Sequence, residues 1–319
     1  MNTNDRKYSP VDLKRVKRYS IAKRPNKTEI AAFGKPFNKT AGVKEFFGSL
    51  PKFLKAEQLN EFITLAVKAR RDNYPFHLLL GAHTIKVGLS PIIIDLMKRE
   101  IVTGISFNGA GLVHDLELAF FGGTSEDVQA GLADGSFGMV RETGELYAAV
   151  IKIAADRETG LGEAAGIFIN GEKAPHRQHS LFAAAQKMKR PATIHIGIGT
   201  DIVNQHPDFD AAAAAAASYV DFRILAAVCT RLDRGGVLAN IGSAVILPEV
   251  FLKALTVARN LNPGRSRLTT ANFDMLEHYR PRVNVVTRPT YKTGKGFDFR
   301  GHHEIMIPLL AWGLKANYK

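Results

Sequence analysis

Three groups of residues in this chain have the types and spacing to do chemistry. The first is the small residues that end apolar strands: FHLLLGAHTIKVG and GISFNGAG both run an apolar stretch into glycine and then into a helix. Backbone N–H groups at such a turn can approach an anion closely, because no Cβ intervenes and the helix N-terminus carries partial positive charge. NGAG is not the GxGxxG fingerprint, so local pattern leaves both phosphate contact and a plain turn open. The second group is the carboxylates close behind these turns. The third is His302, His303 and Glu304, which with His114 and Asp115 offer ordinary ligands for a divalent metal and make a metal-dependent hydrolase an alternative reading.

The elements that must position these residues alternate. Phe76 to Leu80 is a wholly apolar run, expected as a strand buried on both faces. Ser90 and Pro91 open the helix that returns to it, and Ile101 to Phe107 is the next strand. Residues 42–73 and 125–151 carry helical spacing, and residues 152–190 read as helix, loop and helix. Further strands are expected at Ala192 to Ile196, Val237 to Ile241, Ser266 to Thr270 and Arg282 to Val286. Helices are expected from Ala211 to Leu232, from Pro248 onward, and from Glu304 to Leu314. This rhythm predicts an α/β fold: a doubly wound, mainly parallel sheet with helices on both faces, Rossmann-like, whose ligand sits outside the strands' carboxyl ends. The turns that would meet there are Gly81–Gly88, Asn108–Asp115, Gly197–Asp201, Gly242–Ala244 and Thr270–Asp274.

Composition narrows the class. An apolar fraction of 45% in 319 residues suits a substantial core. No unbroken apolar run approaches the ~18 residues of a membrane helix, and the first residues lack the apolar core of a secretory signal, so the expected location is cytoplasmic with no membrane partner. Cys229 is the only cysteine, which excludes an internal disulfide and a cysteine-built metal site. Forty-three Lys and Arg against thirty Asp and Glu give a net charge of +13, much of it in the first 40 residues. We read residues 1–41 as a basic arm and residues 42–319 as one α/β domain. Nucleic acid is not the expected partner, because no interleaved aromatics or reading module accompany the charge.

Several segments, in consistent order over residues 76–315, resemble the deoxyhypusine synthase family. NGAGLVHD resembles that family's TAGGxEED, GIGTDIV its LTDGS, LTTANFD its INTAQEFD, and HHEIMIPLLAWGL its DASLVFPLLVAE helix. Enzymes of this family are NAD-dependent and move the aminobutyl group of spermidine onto a protein lysine. The resemblance implies an NAD site lined by Gly109, Gly111, Asp115, Asp201, Gly242, Ser243, Thr270 and Ala271. It also implies a homotetramer with sites between subunits.

A polyamine pocket needs carboxylates to pair its charges once they are desolvated. Of the candidates Asp115, Glu117, Asp201, Glu249, Asp274, Glu277 and Glu304, we expect Glu249, Asp274 and Glu304 to bind substrate. The family's Trp-Gly-Lys segment, whose lysine forms an imine with the transferred group, is missing. Lys292 and Lys295 are the nearby candidates for that nucleophile. The expected function is NAD-dependent aminobutyl transfer from a polyamine such as spermidine to a protein lysine or a small diamine, as in homospermidine formation. A non-catalytic nucleotide-binding relative is a further alternative.

Overall fold

The structure is a computed structural model describing residues 8–264 and 266–318. Its centre is a six-stranded sheet of β1 (Phe76–Leu80), β2 (Gly104–Asn108), β3 (Ala192–His195), β4 (Val237–Ile241), β5 (Thr269–Asp274) and β6 (Lys295–Arg300). The strand order is β3-β2-β1-β4-β5-β6, and every neighbouring pair is parallel. The α/β, doubly wound architecture expected from the alternating pattern is therefore present. Chain direction across the sheet reverses between β1 and β4, and at such a point the crossovers part and leave a crevice at the carboxyl ends.

The apolar sides of the strands face one large core. Leu78, Leu80, Ile105, Phe107, Ala239 and Phe273 pack there against α2 (Leu54–Arg71), α4 (Ser90–Lys98), α5 (Gly109–Phe121) and α12 (His303–Asn317). Leu79 and Leu238 face the other side, where α10 (Ala211–Leu232) and α11 (Ile246–Leu261) cover them. Short helices fill the rest: α1 (Val43–Ser49), α3 (His83–Lys86), α6 (Val128–Asp134), α7 (Arg141–Asp156), α8 (Leu161–Gly171) and α9 (Leu181–Lys187). Among the described residues α10 is the one helix long and apolar enough to cross a membrane by length and composition; one face of it packs on β3, α7 and α11.

The α10–α11 face of the sheet carries buried polar ladders. His77 bonds Ser106 at 2.8 Å, Ser106 bonds Thr193 at 2.6 Å, and Thr193 bonds His195 at 3.0 Å. Burial pushes both histidines down to about 3, the neighbouring His195 adding to the effect at His77, so both are neutral in the folded protein. On the other half, Asn240 donates to Asn272 and Asn272 to Asp298, each at 2.8 Å. The free edge of β3 is closed by α10: Ser218 Oγ accepts from Ile196 N–H and donates to Ile194 O, while Asp221 accepts from Ile194 N–H. This occupies backbone groups that would otherwise invite another strand.

Two expected strands are corrected. Arg282 to Val286 lies in a π-helical turn, Pro281–Thr287, because the strand's work at that edge is done by Lys295–Arg300. Phe299 stacks on Phe273 and on Phe297 there, and Phe62 meets Phe273 and Phe297 edge-on. The β5 strand starts and ends later than expected, so Thr270–Asn272 is its interior rather than its turn. In the arm, large apolar side chains from Tyr8 to Ile30 are exposed. Its last part is fastened by Lys35 N–H to Ser49 O and Lys52 N–H to Ala32 O, each at 2.9 Å.

Candidate functional site

At the switch point two backbones meet with no side chain between them. Gly81 N–H donates to Ile241 O at 2.8 Å, and a Cβ on Gly81 would lie 2.1 Å from Gly242 O. Gly242 has φ +70°, which favours glycine, and a Cβ on it would lie 2.7 Å from His303 Cε1. His303, in the first turn of α12, is buried over this junction; its Nε2 lies 3.2 Å from Phe273 O, and its Nδ1 has no partner. His83 at the start of α3 packs against it, ring centroids 5.7 Å apart. Burial, then His303 and Lys86, hold the His83 imidazole below its ordinary value. Ser243 caps the first turn of α11 by accepting from Leu247 N–H at 3.3 Å, and Asp274 ends β5 beside this group.

A cavity of about 500 Å³ adjoins the crevice on the β2 side. One face of α5 lines it through Ala110, Val113, His114 and Glu117, and Lys86, Thr124, Thr143 and Ile202 face them. Val128, Phe137 and Val140 add apolar wall, and Ser125, Glu126 and Thr200 add polar groups. Glu117 is its polar centre. Thr143 Oγ1 donates to Glu117 Oε1 at 2.8 Å, and Thr124 donates to Oε2. Burial works against the Glu117 charge, but the nearby His114 and hydrogen bonds from Thr124 and Thr143 outweigh it and hold the carboxyl below its ordinary range. Because Thr124 spends its hydroxyl proton on Glu117, it must accept from His114 Nδ1–H, 2.6 Å away. That tautomer leaves Nε2 as the ring's basic nitrogen.

The residues expected from sequence fall into separate places. Gly242, Ser243 and Asp274 gather at the switch point. Gly109 and Asp201 meet each other: a Cβ on Gly109 would lie 2.1 Å from Asp201 Oδ2, an oxygen that accepts from Gly197 N–H at 3.0 Å, and Asp201 also accepts from Ala110 N–H. Burial raises the Asp201 carboxyl despite these bonds. The anion at the N-terminus of α5 is thus the chain's own carboxylate, and Gly109 is small to admit it. Gly111 packs on the Phe107 ring, 2.3 Å from a would-be Cβ. Asp115 is buried and accepts from Ser180 Oγ at 2.5 Å and Leu181 N–H at 2.8 Å, capping α9; burial raises it to about 6. Thr270 and Ala271 are fully buried inside β5 and do not reach its carboxyl end.

Glu249 is bound by Lys253, by Arg280 at 3.2 Å and by Asn284 at 2.9 Å, so its charge is already met. Glu304 stays exposed at the start of α12, 3.8 Å from His302. Neither lysine offered as nucleophile joins the site. Lys295 is the first residue of β6 and pairs with Glu61, and Lys292 lies over the Tyr291 ring before that strand, both at the amino end of the sheet. Lys292→Ala and Lys295→Ala are therefore expected to leave ligand-induced stabilisation of the protein unchanged within about 0.5 kcal/mol, as for surface substitutions generally, when followed by thermal shift. The metal reading also comes apart, since His303, His114 and Asp115 face three different places and no metal-holding trio of His, Cys, Asp or Glu exists among the described residues.

Sequence reasoning missed Lys86, His83, Thr124 and Thr143. The 110, 113, 114, 117 spacing on α5 was the available signal for one wall; Thr124 and Thr143 reach it from later segments and leave no local trace.

No protein-family model matches this chain, and no curated protein matches it. Similar solved structures exist at low identity. A conserved LOR/SDH protein from Methanococcus maripaludis S2 is 13% identical, with a TM-score of 0.50, over 92% of this chain and 74% of that one. The ternary complex of AgrE with ornithine and NAD+ is 12% identical, with a TM-score of 0.50, over 82% of this chain and 33% of AgrE. A deoxyhypusine synthase from Entamoeba histolytica is 11% identical, with a TM-score of 0.46, over 89% and 96%. The chain spans about a third of the length of AgrE and of the cyanobacterial arginine dihydrolase ArgZ. What the first two comparisons establish is a shared fold.

Proposed function

We propose that this protein binds a nicotinamide dinucleotide at the crevice between β1 and β4 and acts with it on an amine held in the adjoining cavity. The observation that carries this reading is the juxtaposition of a doubly wound switch point with a cavity centred on the His114–Thr124–Glu117 relay. The crevice suits a dinucleotide by its place at the switch point of the sheet, and the buried Nδ1 of His303 there lacks a polar partner. AgrE, which shares the fold, was solved with ornithine and NAD+.

Bound nicotinamide would supply a hydride acceptor. The chain's own residues do the rest. The Glu117 carboxylate draws an ammonium group into a partly enclosed cavity, where the pairing is stronger than in water. An amine must be neutral at nitrogen before its neighbouring carbon gives up hydride. His114 Nε2 takes that proton, and the resulting imidazolium is stabilised through Nδ1–H, Thr124 and Glu117. Aminobutyl transfer from spermidine to an amine acceptor is the particular form that the deoxyhypusine synthase resemblance adds. If that form includes a covalent imine, Lys86 is the lysine that lines the cavity.

Thermal-shift titration tests the reading, because a ligand that binds only the folded state raises its melting temperature. NAD is expected to give a saturable rise that spermidine enlarges. Glu117→Gln should keep the NAD rise and lose the spermidine increment. No rise with NAD or NADH would overturn the proposal, and a rise with NAD but no turnover of any amine would mark a non-catalytic nucleotide binder. Where turnover is found, His114→Ala should lower it about a hundredfold, the usual contribution of a positioned general base, while leaving the NAD rise intact.

A further inference from the structure

We infer that the protein has a second ligand site at the amino-terminal end of its sheet, built for the phosphate group of a small molecule. A cleft of about 260 Å³ lies where the chain enters β1, β2 and β3, and four of its lining residues, Arg70, Lys189, Arg190 and Arg231, are cations while none is acidic. Three of these are held in place by anchors that leave most of their donors unspent. Arg70 donates Nε to Glu100 O at 2.9 Å and Nη1 to Tyr74 O. Arg190 donates Nη2 to Glu100 Oε1 at 2.8 Å, and Arg231 donates Nη2 to Asn73 O at 2.9 Å. Arg190 Nε is buried with no partner at all.

Each guanidinium has five N–H donors, so the cleft holds a large surplus of donors and of positive charge. Burial chiefly holds the Arg70 guanidinium below its ordinary value; Arg190 and Arg231 add to the effect, and Tyr318 and Glu100 oppose it. A ligand that meets this surplus must be a compact anion. A carboxylate is planar and matches one guanidinium fork, whereas a phosphate monoester carries three terminal oxygens and up to two charges and meets several forks at once. The volume admits such a group and not a whole dinucleotide. The cleft also lies at the opposite end of the strands from the β1–β4 crevice, so the two sites are independent.

The experiment is a thermal-shift titration of the full chain with inorganic phosphate and with glycerol phosphate, against potassium chloride at matched ionic strength and against malonate. Both phosphates are expected to raise the melting temperature saturably, by a few degrees at a concentration about a hundredfold above Kd. The variant Arg231→Gln/Lys189→Gln alters only exposed side chains of the cleft and should weaken the phosphate response at least fivefold while leaving the response to NAD unchanged. Lys189→Gln alone, whose side chain makes no contact that the fold uses, should weaken it in the same direction. A rise that chloride or malonate reproduces, or one that survives undiminished in both variants, overturns the assignment.

Discussion

Gly81→Val is expected to cost this protein more than about 4 kcal/mol of stability, at the far end of what single substitutions do, and to abolish its response to dinucleotide. The Cβ would lie 2.1 Å from Gly242 O and 2.6 Å from Gly242 C. Both are backbone atoms of the turn that follows β4, so no rotamer change relieves the overlap. Relief requires β1 and β4 to separate where Gly81 N–H bonds Ile241 O, at the middle of a sheet whose two strands pair over five residues. The crevice sits on that junction. Chemical denaturation gives the stability loss and thermal shift with NAD gives the binding loss. Gly171→Ala is the control: nothing lies within 4 Å of its would-be Cβ, and stability should be unchanged. A Gly81→Val protein as stable as the parent would mean that the two strands do not approach as described.

Asp221→Ala is expected to lower stability by about 2–6 kcal/mol, since it leaves two buried donors without an acceptor and each costs roughly 1–3 kcal/mol. Asp221 is fully buried on α10 and accepts from Ile194 N–H at 2.8 Å and Gly162 N–H at 3.1 Å, both on Oδ2, tying the β3 edge to the N-terminus of α8. Its second oxygen has no partner. Burial outweighs these bonds and raises the carboxyl to about 8, from 3.8 in the unfolded chain. A folded value above the unfolded one means that the unfolded chain gives up its proton first. The carboxyl's contribution is therefore complete below about pH 4 and declines as pH rises, until the folded carboxyl has titrated near pH 8.

Asp221→Asn keeps an acceptor for the N–H groups and never ionises, so it should remove this decline between about pH 4 and 8 while Asp221→Ala is weaker at every pH. An unaltered slope in Asp221→Asn would sink the argument. His77 and His195 act at the other limb. Their folded values near 3 lie below the unfolded 6.5, so stability falls as pH drops from about 6.5 toward 3.

How much of this was legible can be judged residue by residue. Phe76–Leu80 was read at its true bounds because a strand buried on both faces is a continuous apolar run. Ala211–Leu232 was equally plain, an alanine run capped by Asp210, which accepts from Ala213 N–H at 2.9 Å. The segment RVNVVT misled because β-branched composition is also tolerated in a helical turn, and Pro281 opens that turn. Thr270-Ala-Asn272 misled for the opposite reason: polar residues in a strand look like its end unless the neighbouring strands offer Asn240 and Asp298 as partners. Gly109 and Asp201 were paired in the expected site, but only their distance shows that each is the other's partner.

By itself, the sequence determined that strands and helices alternate, that the sheet is parallel and buried on both faces, and that glycine turns cluster at the strands' carboxyl ends. Those properties are local, set by side-chain period, capping and chain reach. The tertiary structure alone decided that the turn into α5 is already closed by Asp201, that Lys292 and Lys295 lie at the wrong end of the sheet, and that Glu117, His114, Thr124 and Thr143 come together. Such facts depend on which strand lies beside which, and neither hydrophobic period nor motif spacing encodes the distance between residues that meet only once the sheet has assembled.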